Sequence, residues 1–98
     1  HTNLKNTLFQ KADIQFTDLE YANLQLSCLQ YADLKKSRFN NADLRGANLQ
    51  YADLRGANFY NADLRGAVYT DAIYSCALSM YYNHGQIAFF NSYRYMSL

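Results

Sequence analysis

Carboxylates recur in this chain with a regularity that no single acid–base pair would need. Asp13, Asp33 and Asp53 are spaced by 20 residues, as are Asn3, Asn23, Asp43 and Asp63. Stacked at strand spacing, roughly 5 Å apart, they would form a ladder of oxygen ligands for calcium or another hard cation. The same residue types also hydrogen-bond nearby backbone in turns. In addition, Lys35, Arg45, Arg55 and Arg65 each stand two positions after an aspartate, where they can neutralise it. The second reading is favoured, so no metal is expected. Catalysis finds as little support. His84 lies in Asn83-His84-Gly85, an expected exposed turn, and His1 opens the chain, so neither is matched with a nucleophile. A Cys76 and His84 pair lacks further metal ligands at a recognisable spacing. No enzyme and no cofactor are expected.

Composition narrows the class further. The chain has 98 residues, half of them hydrophobic, which suits one small domain and excludes a multidomain enzyme. Nine basic and eight acidic residues give a net charge of +1, so direct nucleic-acid binding is not expected. No apolar run approaches the roughly 18 residues that span a bilayer, and the polar start is not a secretory signal. The expectation is a soluble, cytoplasmic chain. The first residue is not Met, which points to a processed protein or an excised domain.

The elements that must position these residues follow from a period of five. Thr2, Thr7, Ala12, Thr17 and every fifth residue onward to Ala77 are small. Two positions later, from Leu4, Phe9, Ile14 and Leu19 to Tyr74, every residue is large and uncharged. A step of five rotates roughly 140° on an α-helix and flips faces on a strand, so neither element keeps these rows on one side. The backbone must turn once per five residues, coiling into a solenoid with the small and large rows inside. A large residue fills the centre of each side only where its neighbour two positions earlier is small.

Ala42-Asp43-Leu44-Arg45-Gly46, Ala52-Asp53-Leu54-Arg55-Gly56 and Ala62-Asp63-Leu64-Arg65-Gly66 resemble the A(D/N)LXX units of the pentapeptide-repeat family. The match covers about residues 2 to 77. The resemblance implies an all-β fold: a right-handed quadrilateral parallel β-helix with four pentapeptides per coil. Recurrence of Phe39 and Phe59, and of Tyr31 and Tyr51, independently supports a coil of 20 residues. The repeat then makes nearly four coils, about 19 Å tall.

Residues 1–77 form the β-helix in this reading, and residues 78–98 follow no five-residue rule. The second segment gathers Tyr81, Tyr82, Phe89, Phe90, Tyr93 and Tyr95. A solenoid end exposes core and unpaired edges, so this segment is either a cap or a dimerisation surface, the latter matching C-terminal dimers among proteins the chain resembles. The amino end shows no cap, which suggests truncation or a covering domain. Cys28 and Cys76 fall two coils apart, roughly 10 Å along the axis, beyond the ~7 Å Cα limit for a disulfide.

One side of the coil carries Gln10, Gln30 and Gln50 beside Tyr31 and Tyr51. Neutral amides and aromatics on a rigid face compose a protein-recognition patch, although Tyr is also an ordinary strand-surface residue. Gln30, Tyr31, Gln50 and Tyr51 are the candidate binding residues. The resemblance also implies a possible partner, because quinolone-resistance members bind DNA gyrase by resembling a DNA duplex. This chain departs from that pattern. Residues 1–77 hold eight acidic and eight basic residues, interleaved, with a net charge of 8 − 8 = 0. A neutral rod does not reproduce the field of a duplex, about one charge per 1.7 Å. The expected function is a non-enzymatic scaffold or protein-interaction module, with a gyrase-binding DNA mimic as the alternative.

Overall fold

Residues 2–73, and the backbone of Tyr82–Asn83 and Gln86–Ile87, are described by the structure, a computed structural model. Between residues 2 and 73 the chain pairs with itself in parallel at a spacing of 20 residues. Asn3, Asn23, Asp43 and Asp63 bridge in succession, as do Leu8, Cys28, Asn48 and Val68. The Asp13, Asp33, Asp53, Ile73 series and the Asp18, Arg38, Asn58 series complete four sides. The 20-residue coil and its outward columns are therefore as the sequence indicates. We number the sides 1 to 4 in that order.

Pairing on each side is confined to one bridged residue per level, held by a short run of hydrogen bonds. Asn23 N–H donates to Thr2 C=O (2.8 Å), Leu4 N–H to Asn23 C=O (2.7 Å), and Asn6 N–H to Gln25 C=O (2.9 Å). The corner is a β-turn, in which Ala22 N–H donates to Leu19 C=O at 3.1 Å. Its third residue has a positive φ at every corner from Asn6 (62°) to Asp71 (61°). Only Gly46, Gly56 and Gly66 adopt this without a Cβ penalty; each other corner costs on the order of 1 kcal/mol. The ladder must therefore hold the corners against their own preference.

Asp and Asn supply a second support. Ten of them, from Asn3 to Asp63, accept through Oδ1 a hydrogen bond from the backbone N–H two residues on, at 3.0 to 3.3 Å. That donor leads into the corner, so the side chain caps the turn that the next side needs. This accounts for the residue type between the small and large rows.

Inside, the small and large rows form one core that includes Leu24, Leu34, Leu44, Ala47, Ala52 and Ala57. Phe39 and Phe59 stack within it, with centroids 4.8 Å apart and planes within 1°. Two serines occupy small-row positions and are fully buried. Ser37 Oγ donates to Ile14 C=O at 2.8 Å, whereas Ser27 Oγ has no partner.

Beyond Ile73, Tyr82–Asn83 (β1) and Gln86–Ile87 (β2) pair antiparallel, with Tyr82 opposite Ile87 and Asn83 opposite Gln86. The parallel coiling rule does not extend to this pair. The side chain of Tyr82, together with Tyr81, Phe89, Phe90, Tyr93 and Tyr95, lies outside the described residues, as do Cys76 and His84.

Two outcomes test this packing. Ala52→Leu places extra atoms at a position 0% exposed and should cost about 1–3 kcal/mol in chemical denaturation, a loss that an unchanged midpoint would disprove. Ser37→Ala should lower stability by about 1 kcal/mol, while Ser27→Ala, which removes an unpartnered hydroxyl, should hold or raise it.

Candidate functional site

Charge is distributed unevenly around the coil. On side 1, Arg45 Nη2 reaches Asp43 Oδ2 at 2.7 Å and Arg65 Nη2 reaches Asp63 Oδ2 at 2.6 Å, while Arg45 Nε extends to Asp63 of the next level at 3.9 Å. On side 3, Arg55 pairs with Asp53 (2.6 Å) and Lys35 with Asp33 (3.7 Å). Side 4 has Arg38 in the row usually held by Asp or Asn, bridging down to Glu20 (2.7 Å) and Asp18 (3.7 Å). The Arg45 guanidinium holds the Asp43 carboxyl below the usual range, and Arg55 does the same for Asp53. The carboxylate ladder is thus filled by guanidinium groups and backbone amides. Among the described residues no group of three or more His, Cys, Asp or Glu is placed to hold a metal ion.

Side 2 is different. Its two outward rows are Leu8, Cys28, Asn48, Val68 and Gln10, Gln30, Gln50, Thr70, with no charged residue in either. Its corner column among the described residues is Lys11, Tyr31, Tyr51, Asp71, so charge stands there only at the first and last of these levels. The sequence-derived residues Gln30, Tyr31, Gln50 and Tyr51 are brought together at the middle levels of this side.

Three features separate side 2 from what the fold requires. First, Leu8, Cys28 and Val68 replace the capping Asp or Asn at three of its four levels, and only Asn48 keeps the cap. Leu8 is 70% exposed and Val68 41%, so neither exchange adds to the core. Secondly, Tyr31 and Tyr51 hold positive φ of 63° and 61° in a corner column that has neither Gly nor Asn. Their rings stack with centroids 4.8 Å apart and planes within 5°, yet both remain about half exposed. Thirdly, Gln30 Oε1 is enclosed without a hydrogen-bond donor, a state it shares with Asn40 Oδ1 on side 4, so that carbonyl adds no bond to the fold. The Cys28 thiol is free. Sequence reasoning found the Gln and Tyr columns but passed over Leu8, Val68, Lys11 and Asp71, although tabulating residues at spacing 20 would have revealed them.

A family model described as pentapeptide repeats (8 copies) matches residues 1–26 and 27–66. The chain belongs to the pentapeptide-repeat family. Among solved structures it is similar to a pentapeptide repeat protein from Nostoc Pcc 7120, at 40% identity and a TM-score of 0.75, covering 76% of this chain and 62% of that one. A pentapeptide repeat protein from the cyanobacterium Cyanothece 51142 aligns at 29% identity and a TM-score of 0.74, covering 74% of this chain and 50% of that one. The chain therefore spans between half and two thirds of these relatives' lengths. A plasmid-mediated fluoroquinolone resistance protein aligns at 20% identity with a TM-score of 0.43, which supports no functional argument. A search of curated proteins finds no match. As a pentapeptide-repeat protein, the chain is a right-handed quadrilateral β-helix. Among the described residues no helix is long and apolar enough to cross a membrane.

The Asp–Arg pairs of this β-helix give its stability a pH dependence. Asp43 and Asp53 titrate below the unfolded carboxylate value of about 3.9, so their contribution is present above that value and disappears as pH falls through the lowered ones. Arg55→Gln should shrink the fall in thermal midpoint between about pH 5 and pH 2. Parallel curves for variant and parent would show that the Arg55 pair is not responsible.

Proposed function

We propose that this pentapeptide-repeat chain is a non-enzymatic protein-interaction module that docks through side 2. The observation that carries the reading is the loss, on that side, of two features the fold uses elsewhere: the capping Asp or Asn at every described level but that of Asn48, and the paired charges. Residues that disregard a structural rule without improving packing are those released for another use. Leu8, Gln10, Gln30, Tyr31, Gln50 and Tyr51 present amide, aliphatic and aromatic groups on a backbone fixed by the ladder, so little conformational entropy is lost on docking. Tyr is also among the residues that dominate interface energies. The free Cys28 thiol supports a cytoplasmic setting.

The charge arrangement argues against mimicry of a DNA duplex. On sides 1, 3 and 4 every aspartate but Asp13 is joined to Arg or Lys at 2.6 to 3.7 Å, leaving no continuous negative strip among the described residues. A duplex-binding groove lined by Lys and Arg would meet equal numbers of its own sign.

The test is affinity capture from a lysate with side-specific variants. Tyr31→Ala combined with Tyr51→Ala should weaken capture at least about tenfold, the scale of one lost aromatic hot spot. Arg45→Gln with Arg65→Gln on side 1 should leave capture intact. Equal capture by the tyrosine variant and the parent would eliminate side 2 as the docking surface.

A further inference from the structure

Side 2 is self-complementary when turned end over end. Within the described residues its corner column runs from Lys11 to Asp71, both exposed and neither in an ion pair there. Between them stand Tyr31 and Tyr51, stacked 4.8 Å apart. A two-fold axis parallel to the strands of side 2, passing midway between the two tyrosine levels, reverses the coil axis and keeps each corner on its own edge. Under that rotation Lys11 of one copy comes level with Asp71 of the other, and Tyr31 with Tyr51. The outward rows match equally well. Exposed Leu8 falls opposite exposed Val68, the two apolar residues at the ends of their row, and Gln30 falls opposite Gln50.

We infer that the occupant of side 2 is a second copy of this chain, bound face to face with its coil axis antiparallel. The inference rests on the docking surface proposed above and names its partner. Charge selects this arrangement. A two-fold axis along the coil would carry the corner column to the opposite edge, facing the uncharged corners Asn6, Leu26, Gly46 and Gly66, and leave Lys11 and Asp71 without a charged partner, whereas the antiparallel pairing forms two opposite-charge contacts at the rim. Sides 1, 3 and 4 offer no equivalent surface, because their outward rows carry ion pairs that a flat apolar contact would have to desolvate.

Size sets the strength. The four described levels at strand spacing span about 14 Å, so the contact they make falls among small interfaces, below about 1,200 Å² in total, and a dimer held by them is weak and concentration-dependent. The rim charges fix orientation and add a salt-sensitive component.

The experiment is sedimentation equilibrium of the full chain from low micromolar to near-millimolar concentration. The apparent mass should rise from 11.3 kDa toward twice that value, and added salt should weaken the rise. Lys11→Asp places like charges together and should raise the dissociation constant at least about tenfold. Lys11→Asp combined with Asp71→Lys restores opposite charges and should recover association. Both exchanges suit the corner, since Asp71 and Lys36 already occupy equivalent positions at φ of 61° and 59°. Matching circular dichroism melts would verify that the variants fold. A parent that stays monomeric throughout overturns the inference. So does association that ignores the charge reversal, as contact through any other surface would. A monomeric parent whose capture of another protein still depends on Tyr31 and Tyr51 would sink self-association alone and leave the docking side in place.

Discussion

A chain that turns every five residues must place a positive φ in each corner, and most residues resist that conformation. Among the described residues eleven corners other than Gly adopt it, including Phe16, Tyr21, Leu26, Tyr31 and Tyr51. Summed over the corners, the penalty is on the order of 10 kcal/mol, comparable with the whole stability of a small domain. No single turn could sustain this. Only the interlocked ladder, in which every level hydrogen-bonds the next, makes the strained corner part of the lowest-energy state. Cooperativity between coils is therefore a condition of the fold.

That condition divides the work among the five positions. The small and large rows fill the interior, and the residue between them caps the following amide when it is Asp or Asn. The fourth position supplies the counter-charge where Arg or Lys stands there, as with Arg45, Arg55 and Arg65. The fifth position makes the corner. The capping residue and its counter-charge act together: Oδ1 of Asp53 accepts the Arg55 backbone N–H at 3.2 Å, while its Oδ2 accepts the Arg55 guanidinium at 2.6 Å. A single aspartate thus satisfies the backbone and neutralises a neighbour. An oxygen ladder used in this way has little capacity left for a cation.

Much of this was legible in the sequence, because the small and large rows state the period directly and residues at spacing 20 give the columns. The clustering of Gln30, Tyr31, Gln50 and Tyr51 followed from the same arithmetic. Other features depend on side-chain direction, which a repeat does not encode. Arg38 interrupts the Asp or Asn row, and only its reach to Glu20, 18 residues away, shows how side 4 compensates. Propensity gives no warning that Tyr and Phe would occupy left-handed corners, since tertiary pairing overrides it. The antiparallel pairing of Tyr82–Asn83 with Gln86–Ile87 is likewise nothing that a period of five announces.

The same division of work explains why side 2 stands apart. Where the fold fixes a position, its residue type carries information about stability; where the fold tolerates a departure, the type is available for recognition. Leu8, Cys28 and Val68 give up a cap that ten other positions keep, yet the ladder bonds at their levels persist, as Cys28 N–H to Thr7 C=O at 2.9 Å and Val68 N–H to Ala47 C=O at 2.9 Å show. Each departure therefore falls on the outward surface and leaves the coil intact. A solenoid held by its backbone and interior can vary one face without disturbing the other three, and on this chain the varied face is uncharged, flat and bounded by one cation and one anion. Its chemistry favours a partner with the same neutral rows and the opposite order of charge, a description that the chain itself meets once its axis is reversed.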